Sequence, residues 1–214
     1  VGVFQIASDF NDDVGVTNIV SPTDGVLTDS ETITVTLQNF GQEEQSDIPV
    51  SYQIDNGTIV SEVIAETIPG ASSLEYSFTV PGDFSIEGQT YSIWAATSLV
   101  DDEFNENDTT STTVTHLNHN DIGVTSINSP SSGNGLGDEE SIAIMIENFG
   151  GMPQSNFDVT YTIDDNPAIT EQVEGPLAEA STLEYIFTET GDFSILGDYQ
   201  VSAYTSLPDD ADMS

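Results

Sequence analysis

The side chains able to do chemistry in this chain are almost all carboxylates and amides, and they gather in two places. One is the run Asp101, Asp102, Glu103, Asn105, Glu106, Asn107 and Asp108, echoed by Asp209, Asp210 and Asp212. The other is Asp9, Asn11, Asp12 and Asp13, echoed by Asn118, Asn120 and Asp121. Calcium takes about six to eight oxygen ligands from groups of this kind. The spacing is not that of an EF-hand, so a calcium site and a solvated acidic loop both fit the residues. The candidate metal ligands are Asp101, Asp102, Glu103, Asn105, Asp108, Asp9, Asp12, Asp13 and Asp121. A cation at such a junction would stiffen one copy of a repeat against the next.

Trp94, the single tryptophan, is the candidate for ligand binding. It lies out of phase with Tyr91, Ile93 and Ala95, so on a strand it faces away from them, where a ring can pack on a sugar or on a neighbouring element. His116 and His119 read as surface strand residues, without a partner at catalytic spacing. Paired acids such as Asp209-Asp210 have the residue types for glycoside hydrolysis. With 38 carboxylates in the chain, close pairs arise by chance and carry no specificity. No enzyme is expected.

Charge excludes more than the motifs do. The chain has 214 residues, no Lys or Arg, and a formal net charge of −38. Nucleic acids and anionic membrane surfaces are both held by basic side chains, so neither is an expected partner. Phosphate chemistry of the P-loop or kinase type lacks its lysine. Cysteine is absent, which removes disulfides, thiolates and cysteine metal sites. No apolar run is long enough to span a bilayer, and the sequence contains no basic n-region followed by an apolar h-region; it reads as a mature chain or an excised piece, with any targeting signal elsewhere.

The elements that must position these residues come twice. Asp13-Val14-Gly15-Val16-Thr17 returns as Asp121-Ile122-Gly123-Val124-Thr125, a spacing of 108 (121 − 13). Ser21-Pro22 returns as Ser129-Pro130, Asn39-Phe40-Gly41 as Asn148-Phe149-Gly150, and Leu74-Glu75-Tyr76 as Leu183-Glu184-Tyr185. Gly82-Asp83-Phe84-Ser85-Ile86 returns as Gly191-Asp192-Phe193-Ser194-Ile195. The acids divide evenly, 18 in residues 13–120 and 18 in 121–214, so the charge belongs to the repeat.

Within each copy apolar residues alternate with polar ones, as in Thr32-Ile33-Thr34-Val35-Thr36-Leu37, the period of a half-buried strand. In copy one the pattern predicts strands at 13–20, 31–39, 48–54, 58–66, 72–80, 90–97 and 109–117. About seven short strands in about 100 residues define an immunoglobulin-like antiparallel sandwich, so the expected fold is all-β, two such sandwiches in tandem. Tyr91 and Tyr199 stand where that fold places a corner tyrosine, with Ile93 and Val201 in the place of its cysteine. Phe40, Phe149, Phe84 and Phe193 read as core or turn plugs.

The expected organisation is residues 1–12 as the last strand of a preceding repeat, 13–120 as repeat 1, and 121–214 as repeat 2 without its own last strand. Val1–Asp12 aligns with the end of copy one, because both run into the next Asp-Val/Ile-Gly-Val. Either the segment belongs to a longer covalent array, or separate chains join head to tail by adding a strand to a neighbour's open sandwich.

The Asp-Val-Gly-Val-Thr-x-Ile-x-Ser-Pro opening, the Asn-Phe-Gly strand end, the Val-x-Tyr-x-Ile-Asp strand and the Gly-Asp-Phe-Ser-Ile turn resemble the CARDB-like, immunoglobulin-like repeats of bacterial surface proteins. They are similar in particular to the tandem repeats of giant adhesins of Bacteroidota, including those of gliding motility. The resemblance implies an extracellular, cell-surface location and a spacer or adhesive-stalk role. It implies partners among neighbouring repeats or subunits, and surface glycans if the role is carbohydrate binding. The lack of Lys and Arg departs from that family and suggests a saline habitat.

Uncompensated charge has a measurable consequence. At about 0.01 M salt the Debye length grows to about 30 Å, so repulsion within a sandwich goes unscreened. The melting temperature should therefore climb with NaCl, and identical melting curves at low and high salt would count against it.

Overall fold

A computed structural model describes residues 10–211. The described residues form thirteen strands and no helix. The chain divides into two compact units between His116 and Leu117, just ahead of Asp121.

Unit 1 contains β1 (Val14–Ser21), β2 (Thr34–Asn39), β3 (Ile48–Ile54), β4 (Val60–Ile64), β5 (Ser73–Ser77), β6 (Thr90–Thr97) and β7 (Thr109–Thr115). One sheet runs β1-β2-β5 and the other β4-β3-β6-β7, and every pair is antiparallel. In the seven-stranded immunoglobulin sandwich the fourth strand joins the first sheet. Here it pairs with β3 in the second, Ile48 against Ile64.

Unit 2 repeats six of these strands: β8 (Ile122–Ser129), β9 (Ala143–Asn148), β10 (Phe157–Ile163), β11 (Ile169–Val173), β12 (Thr182–Ile186) and β13 (Val201–Ser206). Its sheets run β12-β9-β8 and β11-β10-β13. No described strand takes the place that β7 takes in unit 1. The expected strand at residues 1–12 lies, for residues 1–9, outside the described residues.

The alternation read from the sequence builds the two cores. Ile33, Val35 and Leu37 face inward and are fully buried, and so are Ile142, Ile144 and Ile146. Each contributes roughly 1.5–3 kcal/mol by leaving water. Tyr52 and Phe78 pack edge to face in unit 1, as do Tyr161 and Phe187 in unit 2. The registers of β1 on β2 and of β8 on β9 both shift twice, after Val16 and Ile19 and after Val124 and Ile127. The duplication therefore extends to irregularities in the ladders. The corner tyrosines take the expected place: Tyr91 accepts a bond from the Ile86 N–H at 3.1 Å, and Tyr199 donates to the Ile195 carbonyl at 2.7 Å.

Two readings of the sequence are corrected. Phe84 and Phe193 are core, but Phe40 and Phe149 are 37% and 47% exposed. Asn39 and Asn148 end their strands pointing inward, so the next side chain points out. The plug is the asparagine. Asn39 is fully buried, donates from Nδ2 to the carbonyls of Glu43 and Ile68, and accepts from the Gly41 N–H. Asn148 does the same with Met152, Leu177 and Gly150. The glycine completes the motif because a Cβ at Gly41 would sit 2.2 Å from the Asn11 carbonyl oxygen. The second correction is His116, which is 3% exposed, with Nδ1 2.7 Å from the Phe84 carbonyl oxygen. It continues the inward phase of Val114. His119 is exposed, as expected.

Replacing Asn39 with Ala removes both Nδ2 donors, to the Glu43 and Ile68 carbonyls, and the side-chain acceptor of the Gly41 N–H, and leaves a cavity in the turn. Denaturant unfolding should show a loss of about 2–3 kcal/mol, whereas Phe40→Ala should cost under about 1 kcal/mol. Equal losses would refute the exchange of roles.

Candidate cation site and the repeated carboxylate clamps

The two oxygen-rich places of the sequence are one place in unit 1. The loop between β6 and β7 folds over the entry to β1 and binds its backbone. Glu103 Oε2 accepts from the N–H groups of Asn11 and Asp12 at 2.5 and 3.1 Å, and the Glu103 N–H donates to the Asp12 carbonyl. Asp102 accepts from Val14 N–H at 3.0 Å through Oδ2 and from Phe104 N–H at 2.8 Å through Oδ1. Phe10 stacks on Phe104, ring centroids 5.7 Å apart. Gly15 permits the approach: a Cβ there would lie 2.4 Å from the Asn107 carbonyl oxygen.

Beneath this lid Asp13 is 2% exposed and takes a 2.7 Å bond from Asn107 Nδ2. Burial pushes its carboxyl above the ordinary range; the Asn107 bond opposes this, and the charges of Asp102 and Glu103 add to it. Asp108 is raised in the same way, first by burial and then by the charges of Asp102 and Asp13. Asn107 Oδ1 and Asp108 Oδ1 are both buried without a hydrogen-bond partner. In a chain with no Lys or Arg, two unsatisfied buried oxygens beside a buried carboxylate fit a hard cation. The oxygens of Asp13, Asp102 and Asp108 do not all close to within 4.8 Å of one another.

The remaining candidates separate from this set. Asp101 is exposed at a positive φ of 65°, turning the loop, and Asn105 is exposed with Nδ2 3.4 Å from the Asp102 carbonyl. Asp12 accepts a short bond from Gln45 Nε2. Asp121 lies in unit 2, where its carbonyl accepts from Phe149 and Gly150. Asp9 lies outside the described residues. Unit 2 keeps the loop's frame: Asp209 has φ 58°, and Ala211 N–H donates to the Asn120 carbonyl as Glu103 does to Asp12. It has no counterpart of Asn107 or Asp108 among the described residues. Trp94 is half-buried, cross-strand from Gln53 and Ser111. Tyr204, opposite Thr160, is 47% exposed.

A second carboxylate device escapes the sequence reading altogether. Glu62 on β4 receives Tyr76 Oη at 2.5 Å, Thr79 N–H at 3.0 Å, Thr79 Oγ1 at 2.7 Å and Val80 N–H at 3.2 Å. Glu171 on β11 receives Tyr185, Thr188 and Glu189 in the same pattern. Burial alone would raise each carboxyl, but the hydrogen bonds together outweigh it and hold both below their ordinary value of 4.5. Burial and the bonded carboxylate push the Tyr76 and Tyr185 phenols up to about 12. The signal was available: Glu62 and Glu171 recur 109 residues apart (171 − 62), in step with the tyrosines that bind them.

No family model matches the chain, and no curated protein does. Among solved structures the chain is similar to red sea bream transglutaminase, at 10% identity and a TM-score of 0.39 over 93% of this chain and 29% of that one.

The clamps set an acid limit on stability. Folding lowers both glutamate pKa values, so their contribution is complete above the unfolded value and is lost as pH falls through the folded one. Glu62→Gln should cost about 2 kcal/mol at pH 7 and should flatten the fall in stability below pH 4.5. Acid unfolding curves that coincide with those of the unmutated chain would remove the clamp from the account.

Proposed function

We propose that this chain is a non-catalytic structural segment of an extracellular surface protein, an adhesin stalk or filament built from CARDB-like repeats and stiffened by calcium. The observation that carries the structural role is what the duplication preserves. Asn39 and Asn148, Glu62 and Glu171, and Tyr91 and Tyr199 return in pairs, and each pair spends its polar atoms holding a sandwich together. Side chains with other chemistry to offer do not recur: Trp94 has Ser202 in its place in the second copy, and His116 and His119 align with Ser8 and Asn11 ahead of the first. A stacked repeat needs the first kind of residue and not the second.

Calcium enters at Asp13, Asp102, Asn107 and Asp108. Bound there, it supplies positive charge that the sequence cannot. It ties the β6–β7 loop to the start of β1, which would otherwise be held by hydrogen bonds at the surface. The uniform negative charge of the repeats keeps strand edges of neighbouring molecules from pairing wrongly.

Thermal unfolding of the 214-residue chain at fixed ionic strength, with calcium and then with chelator, tests this. Calcium should raise the melting temperature by several degrees with saturation, as mass action requires of a specific site. Asp108→Asn should abolish that rise while leaving the chelated protein at least as stable, because it removes a half-buried charge. A calcium response that survives Asp108→Asn and Asp13→Asn would move the ion elsewhere. No response at all would leave only a salt-screened surface.

A further inference from the structure

In unit 1 the sheet β4-β3-β6-β7 turns one face to the core and the other away from it. Glu62 is the one acid among the residues of these four strands, and it turns inward to its clamp. The outer face therefore carries no carboxylate, in a chain that has 38 of them. At its centre stands Trp94. The indole is cross-strand from Gln53 on β3 and Ser111 on β7, with Ser92 and Ala96 two residues to either side along β6. Strands about 4.8 Å apart bring these neighbours against the ring, and every one of them is smaller than it. Trp94 is half-buried although the facing sheet packs on the opposite side. The ring thus lies down along the sheet, one face against it and one toward solvent.

Polar groups border the ring and are available to a ligand. Ser92, Ser111 and Thr113 are exposed, and no described residue hydrogen-bonds their hydroxyls. Further along the same face, Thr90 and Thr115 satisfy each other at 2.9 Å. Gln53 Nε2 donates to the Gly57 carbonyl at 2.8 Å, which fixes the amide beside the indole and leaves its oxygen to accept. A flat ring edged by hydroxyls and an amide suits a sugar: axial C–H groups of a pyranose stack on the indole while equatorial hydroxyls reach the polar neighbours.

Charge decides which sugar. With no Lys or Arg and a formal charge of −38, the chain repels a polysaccharide that bears carboxylate or sulfate groups. A neutral one meets on this face neither repulsion nor a charge to strip of water. Units whose substituents are all equatorial leave both ring faces apolar for stacking. We propose that the outer face of β3, β6 and β7 binds a neutral polysaccharide of β-linked, gluco-configured units, stacked on Trp94 and hydrogen-bonded by Gln53, Ser92, Ser111 and Thr113. The inference goes beyond the stalk reading and does not rest on it. Residues that hold the sandwich together recur, whereas this face varies: in unit 2 Ser202 takes the place of Trp94, and a ring, Tyr204, stands one pleat on, opposite Thr160.

Because Trp94 is the single tryptophan, indole fluorescence reports on this face alone. Chelator is present throughout, which keeps the result separate from the calcium reading. Cellohexaose added to the 214-residue chain should shift the emission to the blue with saturation. The chain should also be retarded in native gels that contain hydroxyethyl cellulose, and not in gels that contain alginate, an anionic polymer. Trp94→Ala should weaken the retardation about tenfold without changing the circular dichroism of the sandwich, and Trp94→Tyr, which keeps a ring on the strand, should retain most of it. A chain that is neither shifted nor retarded would overturn the proposal, and so would retardation that survives Trp94→Ala or that alginate matches. Emission that moves with protein concentration and not with cellohexaose would give the face to a second copy, and overturn it as well.

Discussion

A protein without Lys or Arg must hold each of its buried carboxylates with neutral donors, and this constraint shapes much of the structure. The usual answer to a half-buried acid is a guanidinium or an ammonium. Here the donors are backbone N–H groups, hydroxyls and carboxamides. Glu62 and Glu171 gather phenol, hydroxyl and amide donors until each carboxyl falls below its ordinary pKa. The same donors serve exposed acids: Asp83 and Asp192 each accept from the N–H two residues on, at Ser85 and Ser194, and are lowered mainly by those serines. Glu103 and Asp102 take N–H groups at the mouth of β1.

The same rule marks where it fails. At Asp13 and Asp108 burial outweighs the donors, the carboxyls are raised, and two oxygens at Asn107 and Asp108 are left without partners. The clamped glutamates differ: phenol, hydroxyl and backbone N–H donors converge on each carboxylate. A local shortfall of donors in a fold otherwise generous with them is the feature that separates this loop from the exposed acids around it.

Much of the fold was legible because its signal is periodic. Alternation placed β3 and β6 at their observed bounds, 48–54 and 90–97, and the others within a few residues. The places where reading failed share a cause. Sequence alternation assigns a residue to a face but not its partners across sheets. So the pattern points to Phe40 as the plug, one residue after Asn39, which fills the turn, and to the surface for His116, although it continues the inward phase of β7. The candidate metal residues were legible as a composition. That the loop and the strand entry form one site depends on Gly15 letting Asn107 come close, a contact between residues 92 apart (107 − 15) that no local pattern encodes. The glutamate clamps show in the sequence only as the paired recurrence of Glu62 and Glu171 with their tyrosines; alternation does not join them to donors 14 to 18 residues away.

Glu62 belongs to the sheet β4-β3-β6-β7, while Tyr76 belongs to β5 in the facing sheet. The clamp is therefore a staple between the two layers, near the edge where they are most easily parted, and Glu171 with Tyr185 does the same in unit 2. Antibody sandwiches use a covalent sulfur bridge between layers. A bridge of that sort, once cut by a reductant, stays cut until it is reoxidised. A carboxylate gripped by four donors opens and closes by exchanging those hydrogen bonds with water, with no covalent bond broken. A staple of this kind needs no chemical repair once its donors are back in place.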